Sequence, residues 1–420
     1  MLEPVTGNDE GRALLHGMRV VSFCHYLQGP AAAQYLADMG ADVVKVEPPR
    51  GAYERHWSGA NTFVEGISAF YLCANRNKRS LALDLKHPEA KAVLERLLAR
   101  ADVLMENFRP GVMDRLGFGY EQVKTIKPDI VYASASGFGA SGPMAARPGQ
   151  DLLIQAYSGL VAATGQLDRR PTPIGFAAAD QHGAALMALG IVGAYVRKLR
   201  TGQGARVEAN LLNAGLDLQT EPLTIYLTRQ AQSPDGRRLF SRNENLATWF
   251  HEAPYGVYRC ADAWVALSLN DTARLARALG SERLAALAER DRYEAREELT
   301  EVIATELAAR RLEDLVPGFD REAVWYQRVQ EYDDLPEDPQ IRHNEVFREV
   351  EVRGGKAVLV NHPNRYDGEV PPLRHLALEI GADSRAVLGE LGYGAAEIEA
   401  LLASGAVHVP AAAAQKREGP

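Results

Sequence analysis

The residue best placed to do chemistry is Asp180. It ends a run of small residues, PTPIGFAAAD from Pro171, and precedes a long apolar segment from Gly183 to Tyr195. Arg197, Lys198 and Arg200 follow, then Gly202, the usual signals of a helix C-terminus. The spacing predicts a helix with Asp180 at its mouth, apolar on nearly every face and therefore buried. Two roles for Asp180 follow. It can cap the helix by accepting an orphan backbone N–H. It can also be a nucleophile, kept ionised by the helix N-terminus and approached past Gly175, Ala177, Ala178 and Ala179.

Other stretches could hold or assist a substrate. Asn75, Arg76, Asn77, Lys78 and Arg79 in succession make either a phosphate grip or a solvated turn. Asn107, Arg109 and Arg115 lie in a loop after a predicted strand, where open α/β sheets bind ligands. GFGASG, from Gly137 to Gly142, matches a dinucleotide fingerprint literally, but Pro143 and Pro148 replace the helix that should follow. It reads better as a flexible glycine strip beside a site. Asp151 opens an apolar helix and can cap it. Arg237, Arg238 and Arg242 crowd a polar loop that could hold a second carboxylate of an acid substrate or simply face solvent.

These residues need a scaffold, and the pattern supplies one. Strands are predicted over Met18–Phe23, Ala41–Val46, Asp102–Glu106 and Ile130–Ser136, with helices at Ala31–Met39 and Pro88–Ala99. This is a doubly wound, Rossmann-like α/β domain, although the first turn, CHYLQGPAAAQ, lacks the glycines that wrap a pyrophosphate. The expected division is a large domain over 1–225, a small α+β domain over 226–330, a stretch over 331–410 returning to the large domain, and a disordered tail over 411–420. The chain has 420 residues, 46% hydrophobic and 24% charged, with a formal net charge of -8. That charge argues against a nucleic-acid partner. Cys24, Cys73 and Cys260 form no disulfide framework or zinc spacing, which fits a reducing cytoplasm. The polar amino terminus is not a signal peptide, and no apolar run reaches membrane-spanning length.

Taken in order, several segments resemble the family III CoA-transferases, the group that includes formyl-CoA transferase and carnitine CoA-transferase. They are LADMGADVVKVEPP after Gly29-Pro30, NRNKRSLALDL, ADVLMENFRPGVMDRLGFGY, SGFGASGP, GFAAADQHGA and LGELGYGAAEIEAL. The resemblance covers about residues 17–405. It implies that Asp180 is the catalytic carboxylate. It attacks an acyl-CoA thioester to give an aspartyl anhydride and then an aspartyl-CoA thioester. It implies no resident cofactor, with coenzyme A and acyl-CoA as substrates. It places His25, Asn75, Lys78, Arg79, Asn107, Phe108, Arg109 and Arg115 at the CoA site. Gln28, Gly137, Gly139 and Asp151 become supporting residues, the first three by backbone N–H groups that hold an oxyanion. The implied assembly is an interlocked homodimer.

The sequence departs from formyl-CoA transferase in two places. Leu27 stands where that enzyme has a glutamine, and no glycine run occurs over Leu239–Trp249. A larger, dicarboxylic or aromatic acid is therefore expected. α-Methylacyl-CoA racemases share the fold, but they use a histidine where this chain has Gln150, which carries no proton. A CoA-ester-binding protein without activity is the remaining alternative.

Overall fold

The structure is a computed structural model that describes residues 13–165, 170–232 and 243–410. Arg237, Arg238, Arg242 and the expected tail lie outside the described residues. The described residues divide into two compact units. The first comprises residues up to Ser158, Gly175–Leu218 and those from Pro339 onward; the second comprises Gly159–Ile174 and Gln219–Asp338.

The first unit is a mixed α/β fold built on one large, mainly parallel sheet. Its strands are β1 (Arg19–Ser22), β2 (Asp42–Glu47), β3 (Lys78–Leu83), β4 (Val103–Glu106), β5 (Val131–Ser136) and β6 (Ala205–Asn210). The six run parallel in the order β3-β2-β1-β4-β5-β6. Val21 of β1 pairs with Val44 on one side and Leu104 on the other. Such a strand is buried on both faces, which is why Val20-Val21 and Val43-Val44 place apolar side chains on both faces at its centre. The order reverses between β1 and β4, so the crevice at their carboxyl ends is the expected ligand position.

Helix α1 (Gln28–Asp38) begins earlier than the sequence predicts. Gly29 and Pro30 belong to its first turn, where a missing proline N–H has no partner to lose. Helix α2 (Pro88–Ala99) buries Ala90, Val93, Leu94, Leu97 and Leu98, as its spacing predicts. Three further helices complete the frame: α3 (Asp151–Tyr157), α4 (Ala178–Thr201) and α5 (Leu211–Asp217). α4 is not buried all round. Gly183, Ala184, Met187 and Ile191 are buried, whereas Leu189 and Leu199 are each 68% exposed.

The hairpin of β10 (Phe347–Val352) and β11 (Gly355–Val360) is tied to α1. Arg76 pairs with Asp38 at 2.7 Å and donates to the Val360 carbonyl at 2.6 Å. Helices Ser384–Glu390 and Ala395–Ala403 then lead to β12 (Val407–His408), which pairs antiparallel with β3 at the sheet edge.

The second unit has its own core around Tyr258, Leu275, Ile303 and Phe319. Its antiparallel strands are β7 (Gly256–Arg259), β8 (Trp264–Leu267) and β9 (Tyr326–Arg328), in the order β9-β8-β7. Among the described residues no helix is long and apolar enough to cross a membrane.

Candidate active site

Asp180 lies in the first turn of α4, but it is not the cap of that helix. The N-cap residue is Ala177, which offers no side-chain acceptor. The cap comes from elsewhere: Asp151 Oδ1 accepts the Asp180 N–H at 3.0 Å. Asp151 itself is the first residue of α3, behind an N-cap at Gln150. The expectation that Asp151 caps its own helix is thus corrected, and it serves the neighbouring one. Gln155, one turn along α3, donates to the second Asp151 oxygen.

Gln28, at the start of α1, borders the same cavity as Asp180, and its backbone N–H favours the charged form of the Asp180 carboxyl. Burial pushes this carboxyl up from 3.8 to about 7, the Asp151 charge adds to the rise, and the Gln28 N–H opposes it. This reverses the expectation that the helix end keeps Asp180 fully ionised. Desolvation and a like charge outweigh the favourable amide. The Gln28 side chain is buried beside Gly183, where a Cβ would come within 2.7 Å of Nε2. That Nε2 has no hydrogen-bond partner among the described residues.

Asp180 opens into a cavity of about 910 Å³ at the carboxyl ends of β1, β4 and β5. One wall is a run of rings. His25 meets Phe108 at 5.1 Å and Tyr26 at 4.9 Å, Tyr26 meets Tyr53 at 5.1 Å, and Tyr53 stacks on Trp57 at 6.2 Å. Burial lowers the His25 pKa, so its imidazole is neutral at pH 7. Arg109 and Arg147 line the same cavity, are exposed, and have no ion-pair partner among the described residues. Arg147 carries no motif signal in the sequence; only the fold brings it here.

The fold gathers His25, Gln28, Asn107, Phe108, Arg109, Gly137, Asp151 and Asp180 around this cavity. Asn107 is engaged at both ends of its side chain. Oδ1 accepts the His25 N–H at 2.9 Å, and Nδ2 donates to the His25 carbonyl at 2.7 Å. Gly137 permits close packing: a Cβ there would lie 2.5 Å from the Gly149 Cα.

Other expected residues are elsewhere. Asn75 ends the helix Ala69–Ala74 and donates to the Tyr71 carbonyl at 3.0 Å. Lys78 is buried and donates to Pro30 O at 2.8 Å, Ala74 O at 2.6 Å and Asn75 Oδ1 at 3.0 Å. Desolvation drives its pKa well down. Arg79 pairs with Asp42 at 2.6 Å and Glu390 at 2.7 Å, at the amino end of β3, the edge of the sheet remote from Asp180. The basic run is therefore a structural knot and neither a phosphate grip nor a solvated turn. Arg115 is exposed on the short helix Val112–Leu116 and does not line the cavity. Gly139 lines a neighbouring 240 Å³ hollow, and its N–H donates to Ser136 Oγ at 3.0 Å, so that amide is already engaged.

Comparison with known proteins gives the same frame. The profile of CoA-transferase family III matches residues 15–384. The succinate–glutarate CoA-transferase of Agrobacterium fabrum is 30% identical over 384 residues, covering 86% of this chain and 92% of that protein. The acetyl-CoA:oxalate CoA-transferase of Acetobacter aceti is 40% identical over 247 residues, 59% of this chain and 61% of that protein. A solved CAIB/BAIF family protein from Brucella suis superposes with a TM-score of 0.76 at 29% identity, covering 90% of this chain and 99% of that one. The chain belongs to CoA-transferase family III.

Proposed function

We propose that this protein moves coenzyme A from an acyl-CoA donor to a free carboxylic acid, with Asp180 as the nucleophile. The observation that carries the reading is the setting of Asp180: a carboxylate at a helix N-terminus, without an ion-pair partner among the described residues and open to a large cavity that Gln28 also borders. An Asp180 oxygen attacks the thioester carbonyl carbon. The C–S bond breaks, CoA thiolate leaves, and a mixed anhydride remains on the enzyme. The thiolate then attacks the aspartyl carbonyl carbon and releases the donor acid, leaving an aspartyl-CoA thioester. An acceptor carboxylate runs the two steps in reverse. Each step passes through an oxyanion, and the amide of Gln28, at the start of α1 on the same cavity, is placed to serve as a donor. The anhydride and then the aspartyl-CoA thioester each preserve the energy of the donor thioester.

The relatives named above support small dicarboxylic acids as partners. Arg109 and Arg147 offer two guanidiniums, without an ion-pair partner among the described residues, for the anionic parts of such substrates. An interlocked homodimer belongs to the same proposal, and light scattering after gel filtration measures it.

The test is one incubation of the pure protein with succinyl-, glutaryl- and acetyl-CoA in deuterated buffer, quenched with hydroxylamine. Peptide mass spectrometry should find a hydroxamate on Asp180. Deuterium at the acyl α-carbon with Asp180 unmodified would instead identify an α-proton exchange.

A further inference from the structure

The turn joining β1 to α1 runs from Phe23 to Leu27 and carries a residue in an unusual conformation. Tyr26 has φ +62°, the left-handed region, which a bulky side chain rarely adopts. Such a conformation persists only where its surroundings over-determine it. Three side chains do so here. Glu54 Oε2 accepts the Tyr26 N–H at 3.2 Å. Lys45 Nζ donates to the Cys24 carbonyl at 2.7 Å and to Glu54 Oε1 at 2.8 Å. Asn107 brackets His25 as described above. Two residues beyond Tyr26, Gln28 borders the cavity into which Asp180 opens.

Lys45 and Glu54 are among the most enclosed charges in the chain, with side chains 2% and 0% exposed. A pair so fully desolvated is a poor source of stability, since well-packed apolar residues often replace such pairs without loss. It is, however, a rigid point of attachment. Lys45 lies in β2, and Glu54 precedes Arg55, which is held to Glu47 of β2 by two bonds of 2.7 Å. The path from the sheet to the nucleophile is thus short: β2, Glu54, the Tyr26 amide, Gln28, Asp180.

We propose that the Glu54 side chain, anchored on β2 through Lys45, is a positioning device for Asp180: its oxygen holds the Tyr26 N–H in the left-handed turn that sets Gln28 beside the nucleophile. This rests on the transfer reading above. Neither residue touches substrate. Both act through the backbone of the turn.

The test compares two double variants. Lys45→Met/Glu54→Gln removes both charges but keeps an acceptor oxygen for the Tyr26 N–H. Lys45→Met/Glu54→Leu removes both charges and that acceptor. The first should retain kcat within about fivefold of wild type. The second should lose about 30-fold or more in kcat, with KM for acyl-CoA within about threefold, because a small displacement of a reacting group slows chemistry more than binding. Hydroxamate yield on Asp180 should fall with kcat. Equal kcat in the two variants, or a loss confined to KM, overturns the proposal. If the leucine variant does not fold by circular dichroism, Tyr26→Asn and Tyr26→Val decide. Both remove the ring, but asparagine tolerates the left-handed turn and valine does not. Both lose a ring of the cavity wall, so the two are compared with each other and not with wild type: a kcat about tenfold or more higher in the asparagine variant supports the clamp, and equal values overturn it. A wild-type enzyme that forms no hydroxamate overturns the transfer reading and the clamp together. A competent wild type with indifferent variants overturns the clamp alone.

Discussion

Replacing Asp180 with asparagine should stabilise the protein at alkaline pH while abolishing transfer. The shape is kept and the charge is removed. The carboxyl is raised from 3.8 to about 7, first by burial and then by Asp151. That rise spans about three pH units, and each is equivalent to about 1.4 kcal/mol. A ceiling of about 4 kcal/mol follows for a wholly enclosed group. Asp180 is partly open to the cavity, so about half, ~2 kcal/mol, is the working value. The sign follows from proton uptake. Folded protein holds a proton that the unfolded chain gives up between about pH 4 and 7, so this group's contribution is fully present below pH 4 and lost as the pH rises through 7. Urea unfolding of wild type and Asp180→Asn, followed by circular dichroism at pH 5 and 8.5, measures it. The variant should gain ~2 kcal/mol over wild type at pH 8.5 and much less at pH 5. A gain that is the same at both pH values, or no gain, would refute the raised carboxyl. Under the transfer reading the same quantity aids chemistry, because acylation neutralises a charge the fold disfavours.

The pH dependence of the first half-reaction should show the same group: kcat/KM rises as the pH passes through about 7, and Asp151→Asn moves that limb to lower pH. A limb that stays in place would show that Asp151 does not act on Asp180. Arg147→Gln should reduce turnover of succinyl-CoA about tenfold or more relative to acetyl-CoA, the scale of one charge-assisted hydrogen bond. An equal fall for both esters would move Arg147 to the CoA moiety. Arg79→Ala should leave KM for acyl-CoA within about threefold, since its side chain serves Asp42 and Glu390 at the opposite sheet edge; a large rise in KM would return it to the CoA site. Gly137→Ala should destabilise by about 1–3 kcal/mol, because the new Cβ meets Gly149 backbone and not a side chain that can swing away. An unchanged melting temperature would show that the segment leading to Asp151 yields freely.

Most of the scaffold was legible because its signals are local. The β1, β2, β4 and β5 strands are short apolar runs bounded by turns, and the α2 face repeats at helical spacing. Asp180 was legible as a special residue because small side chains precede it and a helix follows. What its carboxyl does there was not. Its N–H is capped by Asp151 from 29 positions away, and its pKa is set by burial, which no local pattern encodes. The basic run at 75–79 misled for a related reason. A charged segment reads as a surface, but Asp38, far off in sequence, draws Arg76 and Asn77 inward, while Asp42 and Glu390 hold Arg79 at the sheet's rim. Lys45 and Glu54 left no trace, because a lysine in an apolar strand and an acid in a polar loop look unrelated until the fold joins them.

The pairing of β12 with β3 has a consequence for how the chain is made. Those two C-terminal residues cover backbone groups of Ala82 and Leu83 at the sheet edge. During synthesis more than three hundred positions separate the two halves of that pair, and the whole second unit emerges between them. Until Val407 leaves the ribosome, β3 presents an uncovered edge, the kind of template on which nascent chains join one another. Chaperone dependence during translation, and recovery from truncated messages as aggregate, should therefore track the arrival of these last strand residues more closely than the completion of either core.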